Sequence, residues 1–239
     1  MIFLIFLFLY LFYHCKYKNK ISEVKNMLSN LMKKTLYSAI AFLLLGLGIS
    51  LQIKAGIGQS MFNAFCMLWA DLFHVEIGTM INLFNLLFFL LYLIIQASLP
   101  KRKDMIQIIA TMVNGFVINL FTYSVLNHII IQSYIVKIII FLLGLILASV
   151  SLGAILAMEV IRFPLEALCI VLSERLNYNL TKTRMRFDIF FFASTLIVTL
   201  LTNRSLYIRE GTVISFFLLS GLMGFSYHFH KKHFHNRSL

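Results

Sequence analysis

Two stretches decide how this chain folds: GQSMFNAFCMLWADL at residues 58–72 and PLEALCIVLSERL at residues 164–176. Both are apolar in the middle, and both are too short and too polar at their ends to span a bilayer, which takes about 20 apolar residues. Each suits a half-helix or re-entrant segment instead. Such a segment is tolerated at membrane depth only where protein or a cavity covers it. Around the two pieces run six longer apolar stretches, 36–53, 77–98, 105–127, 134–158, 187–202 and 211–227, each read as a transmembrane helix. The fold class expected is therefore all-α: a polytopic membrane protein of six transmembrane helices plus two half-helices.

The composition agrees. The 239 residues are 60% hydrophobic and only 13% charged, with a mean hydropathy of +0.89. An ordinary soluble domain is about 45–50% apolar and about 25% charged. A soluble domain, a disordered chain and a disulfide scaffold are thereby excluded. The net charge of +12, from 21 Lys and Arg against 9 Asp and Glu, would suggest nucleic acid in a soluble protein. Here the basic residues stand in patches between apolar runs, so they read as a topology signal, the bilayer is the first partner, and no nucleic acid is expected. Cys15, Cys66 and Cys169 have neither metal-ligand spacing nor a disulfide framework.

The basic patches orient the chain. They fall at Lys16 to Lys34, at Lys101-Arg102-Lys103, at Arg175 to Arg186 and at Lys231 to Arg237, while residues 128–133 carry none. If neither short piece crosses, all four patches lie on one side, which puts both ends of the six-span core in the cytoplasm of a bacterial cell membrane. Arg204 and Arg209 fall outside, partly offset by Glu210. Residues 1–13 are apolar but lack a positive n-region and a small-residue cleavage site, so a cleaved signal peptide is not expected. They read either as a short anchor followed by Lys16, Lys18 and Lys20, or as an over-extended start with Met27 or Met32 as the working one.

A shift of about 103 residues superposes the halves. Asn63-Ala64-Phe65-Cys66 falls on Glu166-Ala167-Leu168-Cys169, Asp71 on Glu174, and Asn85 on Asp188. Gly46, Gly48 and Ser50 fall on Ser149, Ser151 and Gly153, all small; with a slightly larger offset Asn114-Gly115 falls on Ser220-Gly221. Each half reads span, half-helix, span, span. Three crossings per half is odd, so the halves insert in opposite orientations, a 3+3 inverted repeat of transporter type with its site where broken helices meet. The organisation expected is a leading apolar and basic segment over 1–34, a first repeat over 35–128, a second over 129–230 and a basic tail over 231–239.

At these residues the chain resembles the YczE/YyaS/YitT family of bacterial integral membrane proteins. Ala55-Gly56-Ile57-Gly58-Gln59-Ser60-Met61-Phe62-Asn63-Ala64-Phe65 is similar to a pattern A-x-L-G-x-x-P-W-D-x-L. Phe163-Pro164-Leu165-Glu166-Ala167-Leu168-Cys169, with Arg184 and Gly211-Thr212 following, resembles G-P-R-D-x-L-M, a later Arg and a later G-T. Met61, Phe62 and Asn63 depart from the Pro, Trp and acid of the first pattern, and Leu165 from the Arg of the second. The resemblance spans roughly residues 36–229 and implies a membrane fold with transport-like or membrane-accessory roles.

The candidate site follows from the repeat. Asn63 and Glu166 are its symmetric pair, each in the first turns of a short helix, where free N–H groups and the helix dipole favour an anion. Two readings stand side by side. In one, Gln59, Asn63, Arg162 and Glu166 line a midplane substrate site, since an unpaired charge at that depth costs at least about 2.5–3.5 kcal/mol and is retained for function. In the other, Glu166 caps its own helix or pairs with Arg162. Arg184 and Asp188, four apart on one helix face, read as a coupling or structural pair. Lys54 and Glu159, with Arg162, sit near span ends, where such side chains snorkel. Asn82, Asn85, Asn114 and Asn119 read as interhelical glue. His228, His230, His233 and His235 read as part of a basic tail lying on anionic lipid rather than as a metal site.

No Walker A loop, dinucleotide fingerprint, H-E-x-x-H or G-x-S-x-G is present. Neither an enzyme nor a cofactor is expected. The function expected is movement of a small solute; the alternative is a non-transporting accessory or scaffold protein with a membrane-protein partner or a second copy of itself.

Overall fold

The computed structural model describes Met32 and residues 36–97, 102–158 and 163–235. The expectations for residues 1–31, Lys101, Glu159, Arg162 and the end of the tail lie outside the described residues. Among the described residues the regular structure is helical throughout. The helices are α1 (Leu36–Ala55), α2 (Met61–Phe73), α3 (Ile77–Gln96), α4 (Arg102–Asn119), α5 (Tyr134–Ala157), α6 (Pro164–Leu176), α7 (Leu180–Thr202) and α8 (Glu210–His235). Six are long and apolar enough to cross a membrane; α2 and α6, with 13 residues each, are not.

The two short helices share their local construction. Ser60 caps α2, its hydroxyl accepting from the Asn63 amide at 3.3 Å. Pro164 opens α6, where its missing N–H has no helical partner to lose. Both helices stop on a left-handed residue, His74 at φ 53° and Asn177 at φ 52°, which are 103 positions apart. The next helices begin at Ile77 and Leu180, again 103 apart.

The described residues from Ile40 onward form one compact unit. In it α5 packs along α8, α3 against α4 and α6, α2 against α3 and α7, and α6 against α7. Phe62 and Phe65 of α2, Phe88 of α3, and Phe187 and Phe191 of α7 build the largest cluster, with Phe65 and Phe191 centroids 5.2 Å apart. Such tilted pairs add about 0.5–1.5 kcal/mol to their burial. Small residues set the other joints. A Cβ on Gly48 would meet the Gly144 carbonyl of α5 at 2.8 Å, and a Cβ on Gly144 would meet the Gly48 carbonyl at 2.7 Å.

Of the four in-span amides, Asn82 and Asn119 bind α3 to α4, whereas the buried Asn114 Oδ1 has no partner among the described residues. The Gly78 amide donates to Asn119 Oδ1 at 2.6 Å, Asn119 Nδ2 donates to Thr79, and Asn82 Nδ2 donates to the Met112 carbonyl. Just beyond α4, Leu120–Val125 widens into a π-helix, which the sequence does not announce. There Thr122 donates to Ser50 Oγ at 2.9 Å, and Ser50 donates to the Ile118 carbonyl at 3.2 Å, tying α1 to the widened turn.

The fifth span departs from the expected 187–202, for α7 starts at Leu180. Hydropathy stops at Arg184, Arg186 and Asp188, but the structure answers these charges locally. Asn179 caps the helix by accepting from the Thr181 amide, Arg186 stacks over the Tyr178 ring at 4.2 Å, and Arg184 is held by two carboxylates. The sixth span also runs past the expected 211–227: α8 continues through His235, with His230 Nδ1 2.8 Å from the Ser226 carbonyl oxygen.

Candidate functional site

The tight connection 177–179 folds α7 back along α6. Glu166 lies about 15 Å from the C-terminal end of α6 and Arg184 about 6 Å into α7, at 1.5 Å per residue. The long guanidinium arm spans the difference. Arg184 Nη1 donates to Glu166 Oε1 at 2.9 Å, and Arg184 Nε lies 3.6 Å from Asp188 Oδ2 one turn further on. The pair expected on one face is thus a three-residue cluster joining two helices. Glu166 takes Arg184 as partner; Arg162, the partner considered from the sequence, lies outside the described residues.

This cluster forms one wall of a cavity of about 830 Å³. α6 contributes Glu166, Cys169 and Ile170, and α7 contributes Arg184, Met185 and Asp188. α5 adds Leu152 and Leu156, and α8 adds a face that includes Ser215, Phe216 and Tyr227. Ser60 and Met61, the cap and first residue of α2, reach the same cavity. The starts of both short helices therefore open onto one space. Sites of this kind usually measure about 300–1,000 Å³.

The other sequence candidates lie elsewhere. Gln59 is buried outside the cavity lining: its backbone N–H donates to Thr212 Oγ1 at 3.2 Å, its Nε2 sits 2.9 Å from Met67 Sδ, and its Oε1 has no partner among the described residues. Asn63 is buried in α2 and does not line the cavity either. Gln59 belongs to a second meeting point, where residues 56–59 bind the start of α8. The Gly211 amide donates to the Ile57 carbonyl at 2.8 Å, and Arg209 Nη1 donates to the Gly56 carbonyl at 2.6 Å. Gly58 adopts φ +126°, and a Cβ there would stand 2.5 Å from the Thr212 nitrogen. The motif residues of the first half and Gly211-Thr212 of the second are thus in contact.

Sequence reasoning missed Ser215 and Asp71. Ser215 is 1% exposed, lines the cavity, and its hydroxyl has no partner among the described residues. One Ser in an apolar span carries no local signal of this. Asp71, at the end of α2, faces Arg204 at 3.7 Å and Tyr207 in the loop between α7 and α8. Burial first, then the Asp71 charge and hydrogen bond, push the Tyr207 phenol up to about 12, against the opposing pull of Arg204.

Six long apolar helices define a multi-pass integral membrane protein. Residues 32–228 match the model of a family of unknown function, DUF6198, and the chain belongs to that family. Over 142 residues it is 29% identical to the uncharacterized protein YyaS of Bacillus subtilis (strain 168), an alignment covering 59% of this chain and 69% of that protein. This is in keeping with the YyaS-related motifs read from the sequence. No solved structure matches.

Proposed function

We propose that the chain is a transporter-like protein of the cytoplasmic membrane that moves a small solute through the cavity between α5, α6, α7 and α8. The observation that carries this reading is the convergence of Ser60, at the start of α2, and Glu166, at the start of α6, on one cavity holding the Glu166–Arg184–Asp188 cluster. Broken helices meeting at a charged centre are the site architecture of inverted-repeat transporters. The 103-residue register shared by α2 and α6, and by the residues that end them, supports a 3+3 inverted repeat, with both ends of the core cytoplasmic by the charge of its loops. In this mechanism one repeat rocks against the other, and Glu166 and Asp188 carry the coupling charge.

A second reading, a non-transporting accessory protein, is favoured by one feature. α7 and α8 bury only 17% and 18% of their most apolar windows within the chain, which leaves wide faces for lipid or a membrane partner. Proteoliposomes loaded with a pH-sensitive dye and challenged with a panel of small solutes separate the two. Solute-dependent lumenal pH change in wild type, lost in Glu166→Gln, supports transport. Full activity in Glu166→Gln removes Glu166 from the mechanism, and no flux in wild type together with co-purification of another membrane protein supports the accessory role.

A further inference from the structure

This inference rests on the transport reading and concerns the class of solute. Two carboxylates and one guanidinium are the charged side chains among the described residues lining the cavity, so their formal charges sum to one negative charge. Arg184 makes its shorter contact with Glu166, a 2.9 Å hydrogen bond. Asp188 it reaches only at 3.6 Å, beyond good hydrogen-bond range. One guanidinium shared between two carboxylates leaves lone pairs on both, and Asp188, held at the longer distance, keeps the more of them for a ligand. It stands about 12 Å along α7 from Leu180, well inside the span.

A second, independent feature is Ser215. Its hydroxyl is buried at the cavity and bonds nothing among the described residues, a costly arrangement unless a bound molecule supplies the partner. The rest of the wall is mainly apolar, Leu156, Ile170, Met185 and Phe216 among it. An inorganic cation such as calcium would need six to eight oxygen ligands, and this wall does not gather them. An anion would meet the surplus negative charge. An organic cation meets neither objection, and aromatic faces attract it further.

We propose that the cavity takes a lipophilic monovalent organic cation, with its charge against Asp188, a polar hydrogen on Ser215 and its apolar body against α5 and α8. The test uses the full chain in lipid nanodiscs and two fluorescent probes of similar size. Ethidium is the cation, bearing amino hydrogens, and 8-anilinonaphthalene-1-sulfonate is the anion; empty nanodiscs give the partition baseline. The expected result is saturable ethidium binding above baseline that the anion does not compete away. Asp188→Asn weakens it about tenfold and Ser215→Ala about threefold, the scale of a charged and a neutral hydrogen bond. Ser215→Ala stands alone as the test if Asp188→Asn does not assemble. No saturable binding by wild type, preference for the anion, or unchanged affinity in the assembled variants overturns the proposal. Wild type that fails to bind ethidium yet shows solute-dependent flux loses the cation class and keeps transport. Ethidium binding as stated without flux of any solute keeps the cation site and loses transport.

Discussion

Replacing Gly58 by alanine strikes the joint between residues 56–59 and the start of α8, and Gly56 beside it is a built-in control. Both glycines have positive φ, +66° at Gly56 and +126° at Gly58. A Cβ on Gly56 would have nothing within 4 Å, whereas one on Gly58 would sit 2.5 Å from the Thr212 nitrogen and 2.8 Å from its hydroxyl. Gly56→Ala therefore carries only the left-handed backbone cost, about 1–2 kcal/mol. Gly58→Ala carries strain of about 1–3 kcal/mol. It also forces apart backbone that cannot yield like a flexible side chain, loosening the bonds from Gly211 N–H to Ile57 O and from Gln59 N–H to Thr212 Oγ1. At about 0.5–1.5 kcal/mol for each bond, the total is roughly 2–6 kcal/mol. A thiol-reactive fluorogenic dye reads the thermal midpoint, because Cys66 and Cys169 are both buried in the folded chain and become reactive on unfolding. Gly58→Ala is expected to lower the midpoint at least twice as far as Gly56→Ala. Equal shifts, or no shift at Gly58, would refute the contact between the first-half motif and Gly211-Thr212.

Other outcomes follow from the same contacts. Arg184→Gln leaves Glu166 and Asp188 facing each other; a fully buried broken pair costs about 3–5 kcal/mol, and with about a third of the Arg184 and Glu166 side chains exposed the expected loss is ~1–2 kcal/mol. Adding Glu166→Gln to Arg184→Gln should recover part of that loss in the same dye assay, and strict additivity would show that the ion pair is not coupled. Gly78→Ala, whose Cβ would collide with the Gly115 carbonyl and Asn119, should separate α3 from α4 and lower the midpoint more than Gly221→Ala, where nothing lies within 4 Å. Tyr207 favours its protonated form when folded, so its contribution is complete below pH 10 and fades as the pH rises towards 12. Difference absorbance at 295 nm between wild type and Tyr207→Phe should show the missing group titrating near 12; a midpoint at 10 would contradict both the burial of Tyr207 and its contact with Asp71.

The helices were legible because lipid makes apolar length a direct readout, and α6 starts and ends where the sequence puts it. The N-terminus of α7 was not, because hydropathy counts charges singly while Arg184 is paired with Asp188 on its own helix and with Glu166 on α6. The π-turn at Leu120–Val125 depends on a hydroxyl pair from distant positions, Ser50 and Thr122, which no local pattern displays. Glu166, Arg184 and Asp188 stood out as charges in apolar surroundings, and they do meet. Gln59 and Asn63 were chosen by position in the repeat, which fixes a place on the backbone but not the direction of a side chain; neither lines the cavity. Ser215 was invisible because its importance lies in lacking a partner, a property of the packed chain alone.

The central claim is that α2 and α6 turn back within the membrane, so that two three-crossing halves face each other. Single cysteines at Val75, His128, Asn177 and Lys232, all exposed positions, test it in a background without Cys15, Cys66 and Cys169. Treatment of intact cells with a membrane-impermeant maleimide should label positions 75 and 128 and spare 177 and 232. Labelling of 128 and 177 from the same side would mean that α6 crosses the bilayer, and the opposed repeats would be contradicted.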